Sequence, residues 1–114
     1  RIRRMNAVRG SEHDDTITGG DGRNALSGES GDDHLEGAGN KDVLYGSYGD
    51  DVLRGGSGRD DLSDDYGSDR FFGGAGDDVL TDSFRNEQGQ DTMDGGRGHD
   101  RCVKGEKTTR CEEP

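Results

Sequence analysis

Nine aspartates recur along this chain at a spacing of nine residues: Asp15, Asp33, Asp42, Asp51, Asp60, Asp69, Asp78, Asp91 and Asp100. The rhythm is broken only by Asn24, which stands in the vacant place between Asp15 and Asp33, and by four extra residues, Arg85–Gln88, before Asp91. Carboxylates repeated at one interval serve a hard divalent cation better than acid–base catalysis, which needs unlike groups converging on one point. His13, His34 and His99 fall at three different places of the repeat, and no block supplies a nucleophile, a base and an orienting group together.

These aspartates occupy position six of a nonapeptide that runs through the whole chain: blocks such as GSYGDDVLR, GGSGRDDLS and GGAGDDVLT follow one another in phase. Position eight is apolar in every block: Val8, Ile17, Leu26, Leu35, Leu44, Leu53, Leu62, Phe71, Leu80, Met93, Cys102 and Cys111. Of the 22 glycines, all but Gly39 fall at positions one, two or four. Positions seven to nine suit a short β-strand with its middle side chain turned inward. The Gly- and Asx-rich remainder suits turns. Turn and strand repeated wind a solenoid with two strands per 18-residue coil, about six coils in all. Odd and even blocks supply two facing parallel sheets, and position eight of both fills a thin core.

Composition sharpens this. The chain has 114 residues, one domain's length, with 24% hydrophobic and 36% charged residues and a net charge of −11. Such a composition ordinarily gives a disordered chain. It offers no apolar run long enough to span a membrane, and its acidity argues against a nucleic-acid partner. One apolar side chain per nonapeptide is a meagre core, and stacking places like-charged carboxylates about 5 Å apart along each edge of the roll. A cation between them answers both difficulties. Calcium, which accepts six to eight oxygens in flexible geometry, suits Asp-and-carbonyl turns better than magnesium.

At this point the sequence resembles the RTX (repeats-in-toxin, haemolysin-type) family, whose calcium-binding repeat reads G-G-x-G-x-D-x-U-x. The resemblance covers nearly the whole chain. It implies an all-β fold, a right-handed parallel β-roll, with calcium held between turns of adjacent coils and folding driven by calcium outside the cell. It assigns the ligand role to Asp15, Asp33, Asp42, Asp51, Asp60, Asp69, Asp78, Asp91 and Asp100. Pairs form one coil apart: Asp15 with Asp33, Asp33 with Asp51, Asp51 with Asp69 and, across the insertion, Asp69 with Asp91 on one edge. On the other edge Asp42 pairs with Asp60, Asp60 with Asp78 and Asp78 with Asp100. Asn24 with Asp42 is a weaker eighth pair, because an amide oxygen lacks the charge. About six to eight calcium ions are therefore expected, and six would bring the net charge of −11 to about +1.

Several features depart from the plain repeat. Position five is acidic on the first edge (Asp14, Asp32, Asp50) and mostly basic on the second (Arg23, Lys41, Arg59, then Asp77 and His99). Tyr48, Tyr66 and Phe84 share position three at 18-residue intervals, which stacks them as an aromatic ladder. The ladder either shields a turn or forms a strip for a protein or glycan partner. Asp64 and Asp65 stand where glycines are expected, either distorting the turn or recruiting extra carboxylates. The two cysteines, 102 and 111, hold position eight of the last two blocks, so both point into the core from opposite sheets. Their number, spacing and terminal place suggest a disulfide, with two buried thiols as the alternative. Sheets pack about 10 Å apart, however, and a disulfide needs Cα atoms within about 7 Å, so the last coil must pinch.

The whole chain, 1–114, thus reads as a single roll. An N-terminal cap coil (1–9) forms a strand without a metal site, and a C-terminal cap (104–114) has Thr109 in place of Asp. The chain begins without Met and without a signal peptide, and so reads as processed or as part of something longer. Three functional readings follow: a secreted, non-enzymatic calcium-binding module that folds on binding; the C-terminal RTX segment of a larger secreted hydrolase or toxin; or a recognition module using the aromatic ladder.

Overall fold

A computed structural model describes residues 5–20, 22–82, 91–103, 107–109 and 111. These form twelve strands and no helix, so no helix long and apolar enough to cross a membrane is present among them. The strands are β1 (Met5–Arg9), β2 (Thr16–Thr18), β3 (Arg23–Ser27), β4 (His34–Glu36), β5 (Asp42–Tyr45) and β6 (Val52–Arg54). They continue as β7 (Asp61–Asp64), β8 (Arg70–Phe72), β9 (Val79–Asp82), β10 (Thr92–Asp94), β11 (Arg101–Val103) and β12 (Lys107–Thr109). Odd-numbered strands make one six-stranded sheet and even-numbered strands the other. Every pairing is parallel. This is the β-solenoid that the repeat predicts.

Register follows from the period. Ile17 pairs with Leu35, Leu35 with Leu53 and Leu53 with Phe71 in one sheet; Leu26 pairs with Leu44, Leu44 with Leu62 and Leu62 with Leu80 in the other. Across the insertion, itself outside the described residues, Phe71 still meets Met93 and Leu80 meets Cys102. Four extra residues are thus added without shifting the strands that follow. The core is this single row from each sheet: Leu26, Leu35, Leu44, Leu53, Leu62, Phe71, Leu80 and Met93 are buried, with Ile17, Cys102 and Cys111 packed against them.

Two expectations at the ends are corrected. Val8 occupies position eight of the first block, and β1 forms in register with β3, but Val8 is 42% exposed rather than part of the core. Among the described residues it lies in the outermost strand of its sheet, with a pairing neighbour on one side only. At the other end, Met93 pairs with Thr108 and Asp94 with Thr109, three residues out of phase with the repeat. Cys111 therefore lies beyond β12 instead of at its centre. The slipped register carries Cys111 past the strand end and over to Cys102, with a Cα–Cα distance of 5.6 Å in a disulfide. In phase, the two Cα atoms would have been a full sheet spacing apart, too far to bridge.

The turns are held by backbone bonds between coils. The position-three N–H of one coil donates to the position-two carbonyl of the coil before it, as Tyr48 to Glu29, Ser57 to Ala38 and Ala75 to Gly56. Positive φ falls at positions two and four, which is the demand that places glycine there. Glu29, Ala38, Asn40 and Ser47 meet it without being glycine.

Candidate metal sites

Each position-six side chain lies at the seam where a turn enters a strand. The strand N–H of position seven bonds to the position-six carbonyl one coil earlier, as His34 to Asp15, Val52 to Asp33 and Val79 to Asp60. That bond fixes the stacking of the position-six residues, and a second kind of bond orients their side chains. The backbone N–H of Asp15 donates to Oδ1 of Asp33, Asp33 to Asp51, Asp51 to Asp69 and Asp69 to Asp91, at 2.7–2.8 Å. On the other edge Asn24 donates to Asp42, Asp42 to Asp60, Asp60 to Asp78 and Asp78 to Asp100, at 2.8–2.9 Å. All eight pairs expected from the spacing are thus brought together, each by a backbone N–H to carboxylate hydrogen bond between neighbouring coils.

The second carboxylate oxygen has a different fate. Asp33, Asp42, Asp51, Asp60, Asp69, Asp78, Asp91 and Asp100 are all at least 98% buried. No donor among the described residues reaches Oδ2 of Asp33, Asp42, Asp51, Asp60, Asp69 or Asp78. A buried carboxylate oxygen without a partner is costly. Position-one glycines make the space into which these oxygens point, except in the block of Asp69, where Asp64 holds that position. A Cβ on Gly55 would lie 2.5 Å from Asp60 Oδ2 and 2.8 Å from the carbonyl oxygen of Gly73 in the next coil. Gly73 repeats this against Asp78 Oδ2 and the Gly95 carbonyl, both at 2.6 Å. Here glycine is required for room, since neither residue has a positive φ at these two positions.

Asn24 reveals what surrounds such an oxygen. Its Nδ2 takes the corresponding place beside Gly19, and it donates to the carbonyls of Gly20, Gly22 and Gly37 and to Oδ1 of Asp42, at 2.9–3.2 Å. Four acceptors therefore gather around one atom. In Asn24 that atom is a donor and the junction is satisfied without a metal. Where the repeat has Asp, the same place holds an oxygen, and oxygen faces oxygen until a proton or a cation intervenes.

The electrostatics agree. Burial pushes the carboxyl of Asp60 up to about 8, with the charges of Asp78 and Asp42 adding to it against the Asp42 backbone bond. Burial raises Asp78 to about 7, countered by the Asp60 N–H and reinforced by Asp100. Asp33 and Asp42 are raised chiefly by burial. Burial also raises Asp51 and Asp69, and neighbouring carboxylates add to it. The row resists being charged in the absence of a counter-ion. The donor set fits a hard divalent cation: carboxylate Oδ2 atoms and turn carbonyls, with no nitrogen or sulfur ligand among them. Calcium bound there would supply positive charge to both carboxylates of a pair and so link one coil to the next.

The acidic position-five residues, not expected to have a role, form a second ladder on the first edge. Asp14 Oδ1 accepts from the Asp32 N–H, Asp32 Oδ1 from Asp50 N–H and Asp50 Oδ1 from Ser68 N–H. Asp77 does the same for His99 on the other edge. Their 18-residue spacing was the available signal. These side chains are largely exposed and belong to the turns. Tyr48 and Tyr66 stack at 4.8 Å between ring centroids and 5° between planes, 55% and 37% exposed; Phe84 lies outside the described residues.

The RTX calcium-binding nonapeptide repeat profile matches the chain in four copies, at residues 9–44, 36–63, 45–80 and 87–102. No curated protein matches it significantly.

Proposed function

The chain belongs to the RTX calcium-binding nonapeptide repeat family, and on that footing we propose that it is a calcium-dependent folding module working outside the cell. An RTX repeat of this kind is a structural calcium-binding unit. The finer reading rests above all on the buried, donorless Oδ2 row of Asp33, Asp42, Asp51, Asp60, Asp69 and Asp78. Calcium between Asp15 and Asp33, Asp33 and Asp51, Asp51 and Asp69, Asp42 and Asp60, Asp60 and Asp78, and Asp78 and Asp100 would neutralise it, and Asp69 with Asp91 extends the first edge. Extracellular calcium, near 10⁻³ M, matches the affinity of such modules, and the Cys102–Cys111 disulfide suits an oxidising compartment. Export and folding of a longer secreted hydrolase or toxin is a use to which the same module is suited.

Isothermal titration with calcium tests this. Six or seven ions should bind, and magnesium at equal concentration should not displace them. Asn24→Asp exchanges a donor for an oxygen that faces four acceptors, so it should add one ion to the count. A wild-type chain that takes up no calcium would end the proposal; an unchanged count in Asn24→Asp would show that the amide does not stand in for a metal.

The exposed Tyr48–Tyr66 stack supports an additional reading, a recognition strip for a sugar ring or an apolar peptide side chain. Tyr48→Ala with Tyr66→Ala should abolish capture on a glycan array while leaving calcium uptake intact. Capture unaltered by the double change, or absent from the wild type, would dismiss it.

A further inference from the structure

Asp64 stands at position one, where the preceding coils of its edge have Gly10, Gly28 and Gly46. Of the two expectations for it, a distorted turn or a recruited carboxylate, the structure supports the second. Asp64 ends β7, completely buried, and remains in register with Asp82 of β9. Its side chain reaches back over Gly46 of the preceding coil, into space that a Cβ on Gly46 would fill, beside Asp51 Oδ2 at 2.6 Å from the same point. Carboxylate oxygens of Asp51, Asp64 and Asp69 all lie within 4.8 Å of one another. Its neighbour Asp65 turns away and accepts a hydrogen bond from the Tyr45 hydroxyl.

Each of the three carboxylates is tethered by one oxygen and offers the other. Oδ1 of Asp51 accepts from Asp33 N–H, Oδ1 of Asp69 from Asp51 N–H, and Oδ1 of Asp64 from Asp65 N–H. Oδ2 of all three is buried with no donor reaching it among the described residues. An acidic cluster at a surface needs no ion. Three fully buried carboxylates, each aimed by a backbone N–H so that its free oxygen enters one small space, do need one.

We propose that Asp51, Asp64 and Asp69 form a three-carboxylate cation site that binds calcium more tightly than the two-carboxylate sites of the same roll and fills first. The proposal rests on the calcium-binding reading above and deepens it. Charge counting distinguishes the site. Along a regular edge every position-six carboxylate is shared by the intervals on either side, so a continuous row of calcium ions has about one carboxylate charge per ion. Asp64 serves one interval only and raises that local count to about two, matching the charge of the ion. Affinity in oxygen-ligand calcium sites rises with ligand charge. The filled site would also join the coils that precede and follow residue 55 near the middle of the roll, a natural place for folding to begin.

The test is a calcium titration by calorimetry on the wild type, Asp64→Gly, Asp64→Asn and Asp65→Asn. Asp64→Gly restores the residue that the repeat itself uses, so the variant retains a foldable turn. The wild-type isotherm should show one ion binding ahead of the rest. Both Asp64 variants should weaken that first step about tenfold or more, leaving the number of ions unchanged. Asp65→Asn should leave the first step unchanged. A first step of wild-type strength in Asp64→Gly would overturn the assignment. A wild type that binds calcium with all steps alike would overturn it as well, without touching the calcium-binding reading; a wild type that binds none would remove both.

Discussion

Asp60→Ala should raise the calcium concentration at half-folding about tenfold or more, whereas Asp61→Ala, one residue along, should shift it by less than about twofold. Asp60 is 1% exposed and takes part in two inter-coil bonds made by Asp side chains: its Oδ1 accepts from Asp42 N–H and its own N–H donates to Asp78 Oδ1. Its Oδ2 has no donor, and it belongs to both the Asp42–Asp60 and the Asp60–Asp78 intervals. Alanine therefore removes charge from two sites and leaves the Asp42 N–H without its acceptor, a loss of about 1–3 kcal/mol by itself when buried. Asp61 points outward from β7 between Val43 and Val79, exposed, and its carboxylate belongs to neither interval. Circular dichroism followed through a calcium titration reads both variants. Equal shifts would mean that position six does not hold the ion.

Gly58→Ala should be comparably damaging for a reason independent of metal. Gly58 has φ +100°, where an L side chain is strained, and a Cβ there would overlap the carbonyl oxygen of Asn40 in the preceding coil. The strain is about 1–3 kcal/mol before the overlap is counted, and relieving the overlap would pry two coils apart. Gly39→Ala is the matched control, because its Cβ would meet only Ser57 Oγ at 3.6 Å, an ordinary contact. Thermal melts in saturating calcium should show Gly39→Ala within about 0.5 kcal/mol of wild type and Gly58→Ala lowered by several degrees at least. If the two glycines proved interchangeable, the positive-φ turn would not be a requirement of the fold.

What could be read from the sequence was what the nine-residue period controls. Leu35, Leu44, Leu53 and Leu62 are each wholly buried because an in-phase apolar residue has one place to go, and the Asp pairs follow from the same stacking. The period is silent where the chain leaves it or where one type of side chain has two uses. Cys111 was expected at a strand centre, but β12 is slipped by three residues in the last block, and Cys111 lies beyond it in a disulfide with Cys102. Val8 keeps the phase and still is not buried, since phase gives direction and not cover. Asp64 and Asp65 look alike in sequence; only the space above Gly46 and the nearby Tyr45 hydroxyl send one inward and leave the other half-buried beside that hydroxyl. Asn24 resembles a poor ligand until its amide is seen donating to four oxygens.

The calcium-dependent consequences rest on one claim: that the energy missing from a core of one side chain per nonapeptide comes from calcium held between the Asp ladders. The most direct measurement is the far-ultraviolet circular dichroism of the chain in chelator and then in calcium raised to a few millimolar, about the range of extracellular sites. On this claim the spectrum is largely disordered in chelator and gains β-sheet signal cooperatively as calcium is added, a gain reversed by renewed chelation. A full β-sheet spectrum in chelator, unaltered by calcium, would contradict it.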